Sequence, residues 1–588
     1  MAAPREFIEH LRALQRRVRP VHARPVSLSV LTRIARHFAP RLSLPRYRCT
    51  LPRGTQKVVD KVADFLQQQP LQESAYYLSC VYAILCKADY RRDLAMYFTP
   101  PALAQHIVSR VAKTAGSLAD LCFMDPACGG AAFLLPAVVL LRDQLLAQKA
   151  SPERILSAVN RQVVGVEKDP TLAELARQFI RIALHRELAV SRQPLGPVVR
   201  VGDTLNLYRQ GRLPSVNAIL CNPPYRKIRA AELARFRREF PDSIAGQPNL
   251  YTMFMRMALQ VVAPGGLVAL LTPTSYFSGS TYQPIRSHYA RGTSVLRIDL
   301  IHEREDFFLD VEHDVAALLV RRRLSKAVQQ RPEIFAWDET TGWTDLGEIT
   351  LSADGSPWHL PRDNASAIAL ATSKQSTWSL EQYGYKARVG AYVWNRDKRK
   401  TSSTRPTGRD RDRSVPVIWA NQIGQDGQFR FISKGPKERK ARYVLLREGE
   451  RHGVIGQDCV LLQRTSSRAQ RRRLVAAALP RGFARKYGGF IGENHVIILE
   501  PTCARPALSK ADLVRLLNSE FMRDLYSTTS GTTAVTTSGL HSLPLPDPHI
   551  LKTRFRQRAE TEKAVRLAFR QASRPPRRRG ADAQAPRA

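Results

Sequence analysis

Four short apolar runs, each closed by a polar residue, constrain the fold of this 588-residue chain more than any other feature. Leu121-Cys122-Phe123-Met124 leads into Asp125, and Val163-Val164-Gly165-Val166 leads into Glu167. Val198-Val199-Arg200-Val201 leads into Gly202-Asp203-Thr204, and Ala218-Ile219-Leu220-Cys221 into Asn222-Pro223-Pro224-Tyr225. Short β-prone runs bounded by turn signals read as buried strands. A helical pattern from Pro170 to Leu184 lies between the second and third, so strands and helices alternate. Alternation of this kind folds as a parallel sheet with helices on its faces. All four polar landmarks then fall at the carboxyl ends of strands, the edge where open α/β sheets bind ligands.

The residues at that edge differ in what they suit. Asp125-Pro126-Ala127-Cys128-Gly129-Gly130-Ala131-Ala132-Phe133 is a loop of small residues opening a helix, and its glycines let backbone approach a ligand closely. Glu167, at the next strand end, is placed to hold ribose hydroxyls. Asp203 is placed either to accept an adenine amino group or to cap a helix. In Asn-Pro-Pro-Tyr, two prolines stiffen the corner and leave carbonyls free to accept hydrogen bonds. A planar ring with an exocyclic amine would give its two hydrogens to the Asn222 carboxamide oxygen and the Pro223 carbonyl and stack on Tyr225. A nucleobase is such a ring; a plain rigid turn is the alternative.

Taken together, these motifs resemble class I S-adenosylmethionine-dependent methyltransferases, specifically the TaqI-like, γ-ordered DNA methyltransferases that methylate amino groups. The resemblance spans roughly Arg91 to Arg321. Tyr97-Phe98-Thr99-Pro100-Pro101 is similar to the family's motif for the cofactor carboxylate, Asp-Pro-Ala-Cys-Gly-Gly to its motif I, Gly165-Val166-Glu167-Lys168-Asp169-Pro170 to its motif II, and Asn-Pro-Pro-Tyr to its catalytic motif. Asn249-Leu250-Tyr251 and the run Pro264 to Pro273 resemble the family's next helix, turn and strand. The resemblance implies S-adenosylmethionine as cofactor, bound by Thr99, Pro100, Asp125, Ala127, Gly129, Glu167 and Asp203. It also implies methyl transfer to the N6 of adenine in double-stranded DNA, with Asn222, Pro223, Pro224 and Tyr225 as the catalytic set. Phe308, or its neighbour Phe307, is placed before the strand Val315 to Val320 to match the family's second base-contacting aromatic, or to pack in the core. N4-cytosine enzymes, in which Ser is commoner at the first motif position, and RNA base methyltransferases are the alternatives; protein-glutamine methyltransferases share Asn-Pro-Pro-Tyr but are far shorter and lack a basic C-terminal half.

The residue types fit such chemistry. A sulfonium methyl is already activated, so no acid, metal or covalent nucleophile is needed, and holding nitrogen and methyl in line does most of the work. Hydrogen bonds from both amine hydrogens favour a pyramidal nitrogen with its lone pair aimed at the methyl. The target atom is inaccessible within a duplex, so the base must swing out.

A net charge of +40 independently favours a nucleic-acid partner. The cations cluster at Arg226 to Arg238, Arg396 to Arg413 and Lys434 to Arg442. Eight cysteines without a C-x-x-C pair favour reduced thiols over a disulfide frame or zinc site. Cys128 and Cys221 lie in the motifs but lack an adjacent His and read as buried filler. Apolar runs are too short to span a membrane, and the N-terminus lacks a signal-peptide pattern, which points to the cytoplasm.

The expected fold is a Rossmann-like class I methyltransferase core of residues 91–325, an N-terminal helical region of residues 1–90, an α+β target-recognition domain of residues 326–550 and a basic, disordered tail of residues 551–588. Glu6, Glu9 and Glu73 precede the Tyr97 motif, and none is followed two residues later by Lys, as an upstream nuclease of related fused enzymes would require. The expectation is therefore a monomeric methylase with a separately encoded restriction endonuclease. Asn518-Ser519, Gly531-Thr532-Thr533 and Leu543-Pro544-Leu545-Pro546 resemble the ending of the family's specificity domains. Candidate base readers are Asn395, Arg396, Asn421, Gln422, Arg464 and Asn494.

Overall fold

The computed structural model describes residues 5–45, 47, 51, 54–241, 244–245, 249–301, 314–323, 331–338, 340–431, 441–465, 474–529 and 534–571. The chain divides between Ser356 and Pro357 into two compact units.

In the first unit the four anticipated strands form as β1 (Phe123–Asp125), β2 (Val163–Glu167), β3 (Val199–Val201) and β4 (Val216–Cys221). They are followed by β5 (Val262–Pro273), β6 (Thr293–Ile301), β7 (Val315–Arg322), β8 (Glu333–Asp338) and β9 (Gly342–Glu348). Among the described residues these make one sheet in the order β3-β2-β1-β4-β5-β7-β6-β8-β9. From β3 to β5 every pairing is parallel, whereas β7 lies antiparallel between β5 and β6. The chain winds outward from β1 through β2 to β3 and then returns to place β4 on the other side of β1. The crevice beyond the carboxyl ends of β1 and β4 is thus the topological switch point, where this architecture binds ligands.

The helices Gln56–Gln67 and Leu71–Leu85 precede the sheet. Their buried residues, such as Val62 and Leu78, join one apolar core with Phe123, Val138, Phe179 and Leu220. Burial of this continuous apolar surface drives the association of helices and sheet. One close contact fixes their approach: a Cβ on Gly130 of the small-residue loop would meet the Ser79 hydroxyl oxygen at 1.9 Å. The phenol hydroxyls of Tyr82 and Tyr90 both donate to Asp169, at 2.9 and 2.8 Å. Asp169 meanwhile caps the helix Pro170–Ala183 by accepting from the N–H groups of Thr171 and Leu172.

The expected boundary at residue 325 falls inside the first unit. β8 pairs in parallel with β6, β9 closes a hairpin on it, and the segment after β9 is held by Arg286. That buried guanidinium donates to the carbonyls of Gly355 and Ser356 at 2.9 and 3.2 Å and to those of Tyr276 and Gly279 at 2.6 Å each. Burial lowers its pKa to about 10. The sequence change after Leu324, from long helices to short strands, marks the hairpin rather than a new unit.

The second unit contains β10 (Tyr385–Val389), β11 (Thr401–Ser402), β12 (Ser414–Ile418), β13 (Tyr443–Leu445), β14 (Val460–Gln463), β15 (Ala476–Ala478), β16 (Ile491–Gly492) and β17 (Val496–Pro501). They form two sheets, β10-β17-β14-β15 and β11-β13-β12-β16. The first packs with the helices Lys510–Leu517, Glu520–Ser527, Pro548–Arg556 and Thr561–Arg570. The expected tail from residue 551 is therefore helical and packed as far as Arg570. Leu551, Phe555, Val565 and Phe569 are buried in that core, because the basic residues occupy the opposite faces of two amphipathic helices. Residues 572–588 lie outside the described residues.

Candidate active site

The small-residue loop leaves β1 as a cradle of backbone. Gly129 takes a φ of +51°, a left-handed conformation that glycine adopts without a Cβ penalty. A Cβ there would press on the Phe98 ring at 3.2 Å. The buried Asp125 carboxylate accepts from the Ala127 N–H at 3.0 Å, and Glu167 accepts from the N–H groups of Gly129 and Asp169, both at 2.8 Å. Two carboxylates at neighbouring strand ends are thus held by backbone donors. Burial pushes the Asp125 carboxyl well above its ordinary range, and the charge of Glu167 adds to this. Burial also pushes Glu167 up to about 7, against the hydrogen bonds that pull it down.

Asp203 differs. Burial works against its charge, but the hydrogen bond and charge of Lys168 outweigh it and hold the carboxyl below the usual range. Its two oxygens face Lys168, at 2.9 Å, and the Asn206 N–H, at 3.1 Å. Asp203 therefore caps the short helix that follows, while still lining the crevice.

At the end of β4 the Asn222 carboxamide nitrogen donates to the Thr99 hydroxyl at 3.0 Å and to the Tyr97 carbonyl at 3.3 Å. A carbonyl can only accept, so the nitrogen faces that side and the oxygen faces the other. No described residue donates to that oxygen. Tyr225 is fixed by a 2.8 Å bond from its hydroxyl to the Leu271 carbonyl of β5, and its ring meets Tyr251 edge-on at 6.2 Å.

One crevice collects Thr99, Asp125, Ala127, Gly129, Glu167, Asp203, Asn222 and Pro224. Pro100, Pro223 and Tyr225 are not among its lining residues. Phe307 and Phe308 lie outside the described residues. The lining also holds Phe98, Phe133, Phe236 and Phe254, together with Lys168, Arg226, Glu232 and Arg235. Phe236 escapes the sequence reading because it sits in a basic run, and Phe98 because its neighbours Thr99 and Pro100 carry the motif. The run's cations are partly paired: Arg226 makes two 2.7 Å bonds to Glu232, and Arg229 pairs with Asp93. Apolar rings for a purine, carboxylates for hydroxyl and amino donors and a glycine-built backbone cradle fit an adenosyl cofactor. Burial raises the thiols of Cys128 and Cys221 well above their usual range, which removes the thiolate and any nucleophilic role.

In the second unit, the candidate readers converge from distant positions. The Tyr392–Glu493 bridge joins the Asn395-Arg396 turn to Asn494. The Arg464 guanidinium donates to the Asn494 carbonyl at 2.9 Å, and the Glu493 N–H donates to the Ile418 carbonyl, beside Asn421. Asn395, Arg396 and Asn421 are exposed. Gln422 is buried and accepts from the Trp419 N–H at 3.2 Å, a structural contact. The Asn518-Ser519 motif is structural as well: the Asn518 carboxamide makes paired bonds to the Ala476 backbone at 2.8 and 2.9 Å, and Ser519 caps the next helix. Leu543 and Leu545 are core residues. Gly531-Thr532-Thr533 lies outside the described residues.

Among the described residues no group of three or more His, Cys, Asp or Glu side chains could hold a metal ion, and no helix is long and apolar enough to cross a membrane.

Comparison with known proteins places this geometry. Residues 87–328 match the family model described as N-6 DNA methylase, a span that includes every residue of the crevice. The type II methyltransferase M.BsuBI of Bacillus subtilis is 24% identical over 379 residues, which is 59% of this chain and 68% of that protein. The type II methyltransferase M.PstI of Providencia stuartii is 22% identical over 275 residues, 45% of this chain and 52% of that protein. The structure of the type IIL restriction-modification enzyme MmeI in complex with DNA shares the fold, with a TM-score of 0.53 and 12% identity over 92% of this chain and 87% of that one. Across residues 87–328, and so across the whole crevice, the chain is similar to the N-6 DNA methylase family, and S-adenosylmethionine is the methyl donor that this similarity implies.

Proposed function

We propose that this chain modifies DNA site-specifically, transferring a methyl group to the N6 amino group of an adenine turned out of the duplex, as the modification enzyme of a restriction-modification system. The observation that carries this reading is the orientation of Asn222. Its nitrogen is committed to Thr99 and Tyr97, which presents the carboxamide oxygen as an acceptor in the crevice that also holds Asp125 and Glu167.

Bound in that crevice, S-adenosylmethionine supplies a sulfonium methyl that needs no further activation. Glu167 would accept the ribose hydroxyls, and the Gly129 loop would let backbone lie against the adenosyl group. Thr99, whose hydroxyl oxygen accepts from Asn222, retains its proton to donate to the cofactor carboxylate. Asn222 and the Pro223 carbonyl take the two amine hydrogens of the target adenine, so the nitrogen lone pair aligns with the methyl. The new N–C bond would form as the sulfonium's S–CH3 bond breaks to leave a neutral thioether, and the methylated amine would release its spent proton to solvent. Tyr225 offers a ring held in place by Leu271, and stacking on it offsets part of the cost of extruding the base.

The second unit supplies the reader, with Asn395, Arg396, Asn421, Arg464 and Asn494 gathered on neighbouring segments. A chain that holds both catalyst and reader can act as a monomer. A partner restriction endonuclease encoded separately and a cytoplasmic site of action complete the proposal. Long-read sequencing of DNA from cells expressing the chain tests the reading. Methyl marks on adenine within one short motif, absent with Asn222→Ala, are expected; marks on cytosine alone, or on RNA alone, overturn it.

A further inference from the structure

We infer that the turn Val393–Asp397 is a DNA probe in which the Trp394 indole inserts at a base step of the bound duplex and stacks on the nucleobase opened there. The inference rests on the proposed DNA-methylating function and goes beyond it by naming a contact.

Trp394 is 65% exposed, whereas Trp358 and Trp378 in the same unit are 2% and 7% exposed. Trp419 packs on Tyr392 at 5.9 Å and donates its indole N–H to the Ala441 carbonyl. An indole left in water is costly unless something covers it. The turn that carries it is firmly held. The N–H groups of Arg396 and Asp397 both donate to the Val393 carbonyl, at 2.9 and 2.8 Å. Tyr392, two residues before Trp394, donates its N–H to the Gly492 carbonyl and accepts from the Asn494 N–H. On the other side Arg399 grips Asp397 through both carboxylate oxygens and reaches Glu450 at 3.4 Å. A rigid platform loses little conformational entropy when it is covered, which favours a binding role.

Charge selects the partner. Asp397, the turn's one acid, is neutralised by Arg399. Arg396, Lys398 and Lys400 are exposed, and none of them forms an ion pair with a described carboxylate. An aromatic face ringed by unneutralised cations suits a polyanion that carries flat π surfaces. The cations meet phosphates while the ring meets a base, as on the stacking platforms of nucleic-acid-binding proteins. The polar candidates Asn395, Asn494 and Arg464 adjoin the same turn, so the ring enters where hydrogen-bonding groups already converge.

The test uses the full chain and a duplex carrying the motif returned by the methylation map, with affinity measured by fluorescence anisotropy across a salt series. Trp394→Ala is expected to weaken duplex binding by roughly 5- to 150-fold and to leave the salt dependence unchanged, because no phosphate contact is lost. Trp394→Phe should retain most of the affinity. Arg396→Ala should instead flatten the salt slope by about one. Should the alanine variant fail to fold, Trp394→Leu keeps the apolar bulk, removes the extended π face and gives the same readout. Trp394→Ala or Trp394→Leu binding the duplex as tightly as the parent overturns the inference and leaves the proposed function standing, and so does a loss matched by Trp394→Phe or confined to self-association. A parent chain that methylates no DNA and binds no duplex overturns both.

Discussion

The Asn222 carboxamide nitrogen lies 3.0 Å from the Thr99 hydroxyl oxygen, a contact that bridges 123 residues of sequence between the segment before the sheet and the end of β4. Together with the Tyr97 carbonyl, Thr99 determines which end of the Asn222 amide faces the crevice. Removing the amide removes the acceptor itself, so Asn222→Ala should lower kcat by about 10²- to 10³-fold with the cofactor Kd almost unchanged. Thr99→Val removes one of two hydrogen bonds that orient the amide, at about 1 kcal/mol, and should lower kcat by roughly fivefold while also weakening cofactor binding, since the hydroxyl is the donor to the cofactor carboxylate. Single-turnover methylation of a cognate duplex alongside cofactor titration separates the two effects. A loss confined to cofactor affinity in Asn222→Ala would remove it from the catalytic set.

Glu167 gives the cofactor site a pH dependence. Its carboxyl is pushed up to about 7 by burial, so in the empty site it carries a proton through much of the mildly acidic range. Ribose hydroxyls donate hydrogen bonds, and the ionised form is the better acceptor. Binding below the raised pKa must therefore release that proton, and affinity should rise roughly tenfold per pH unit until about pH 7 and then level off. Calorimetry in buffers of different ionisation enthalpy should show about one proton released on the acid side. In Glu167→Gln the affinity should be lower and flat with pH. A slope that survives the substitution would assign the titration to Asp125.

Much of this site was legible because its landmarks are local. An apolar run followed by an acid or by Asn-Pro-Pro-Tyr announces a strand end, and Asp125, Glu167, Asp203 and Asn222 stand where such runs predict. What the sequence hid depends on contacts between distant segments. Nothing near Tyr82 or Tyr90 signals that both hydroxyls meet at Asp169, and although a helix cap was among the readings of Asp203, nothing near it shows that Lys168 takes its other oxygen. The hairpin of β8 and β9 was read as the start of another domain because strand pairing with β6 leaves no mark in local composition. The stretch from about Lys552 reads as a basic helix, but its docking was hidden by its charge, since the basic residues mask Leu551, Phe555, Ala564, Val565, Ala568 and Phe569, which bury the two helices after Asp547 in the core.

Gly130 makes a steric argument that can be tested directly. A methyl group there would lie 1.9 Å from the Ser79 hydroxyl oxygen and 3.2 Å from its Cβ, so Gly130→Ala must push the helix Leu71–Leu85 away from the loop. Overpacking of this kind costs about 1–3 kcal/mol, and cofactor affinity should fall because the same loop carries Gly129. Ser79→Ala in the Gly130→Ala background removes the nearer atom and should recover part of the lost Tm. Equal losses with and without Ser79→Ala would show that the Ser79 hydroxyl is not what the added methyl strains against.

Tyr225 should matter more for turnover than for cofactor binding, since it is not among the residues that line the crevice. Tyr225→Phe keeps the ring and loses only the bond to the Leu271 carbonyl, a cost of about 1 kcal/mol in positioning. Tyr225→Ala also removes the stacking surface, worth about 1–3 kcal/mol per base, and should lower kcat further at an unchanged cofactor Kd. An abasic or mismatched base opposite the target lowers the cost of extrusion and should partly rescue Tyr225→Ala. Absence of rescue would separate Tyr225 from base stacking.

The position of the unit boundary has its own consequence. A chain ending at Ser356 keeps β8 and β9 on β6, keeps the Gly355 and Ser356 carbonyls over Arg286, and should melt cooperatively and bind S-adenosylmethionine. A chain ending at residue 325 strips β6 of its outer partner, which leaves an open strand edge prone to aggregation. It also leaves the buried Arg286 guanidinium short of two acceptors, and an unsatisfied buried donor costs about 1–3 kcal/mol, more when charged. The shorter chain should therefore show a lower Tm and concentration-dependent aggregation under conditions where the longer one stays monodisperse. Arg286→Met in the shorter chain removes the unpaired charge and should recover stability there, while the same substitution in the longer chain should destabilise it. That opposite sign cannot arise from truncation alone, so its absence would show that Arg286 does not tie the hairpin segment to the first unit.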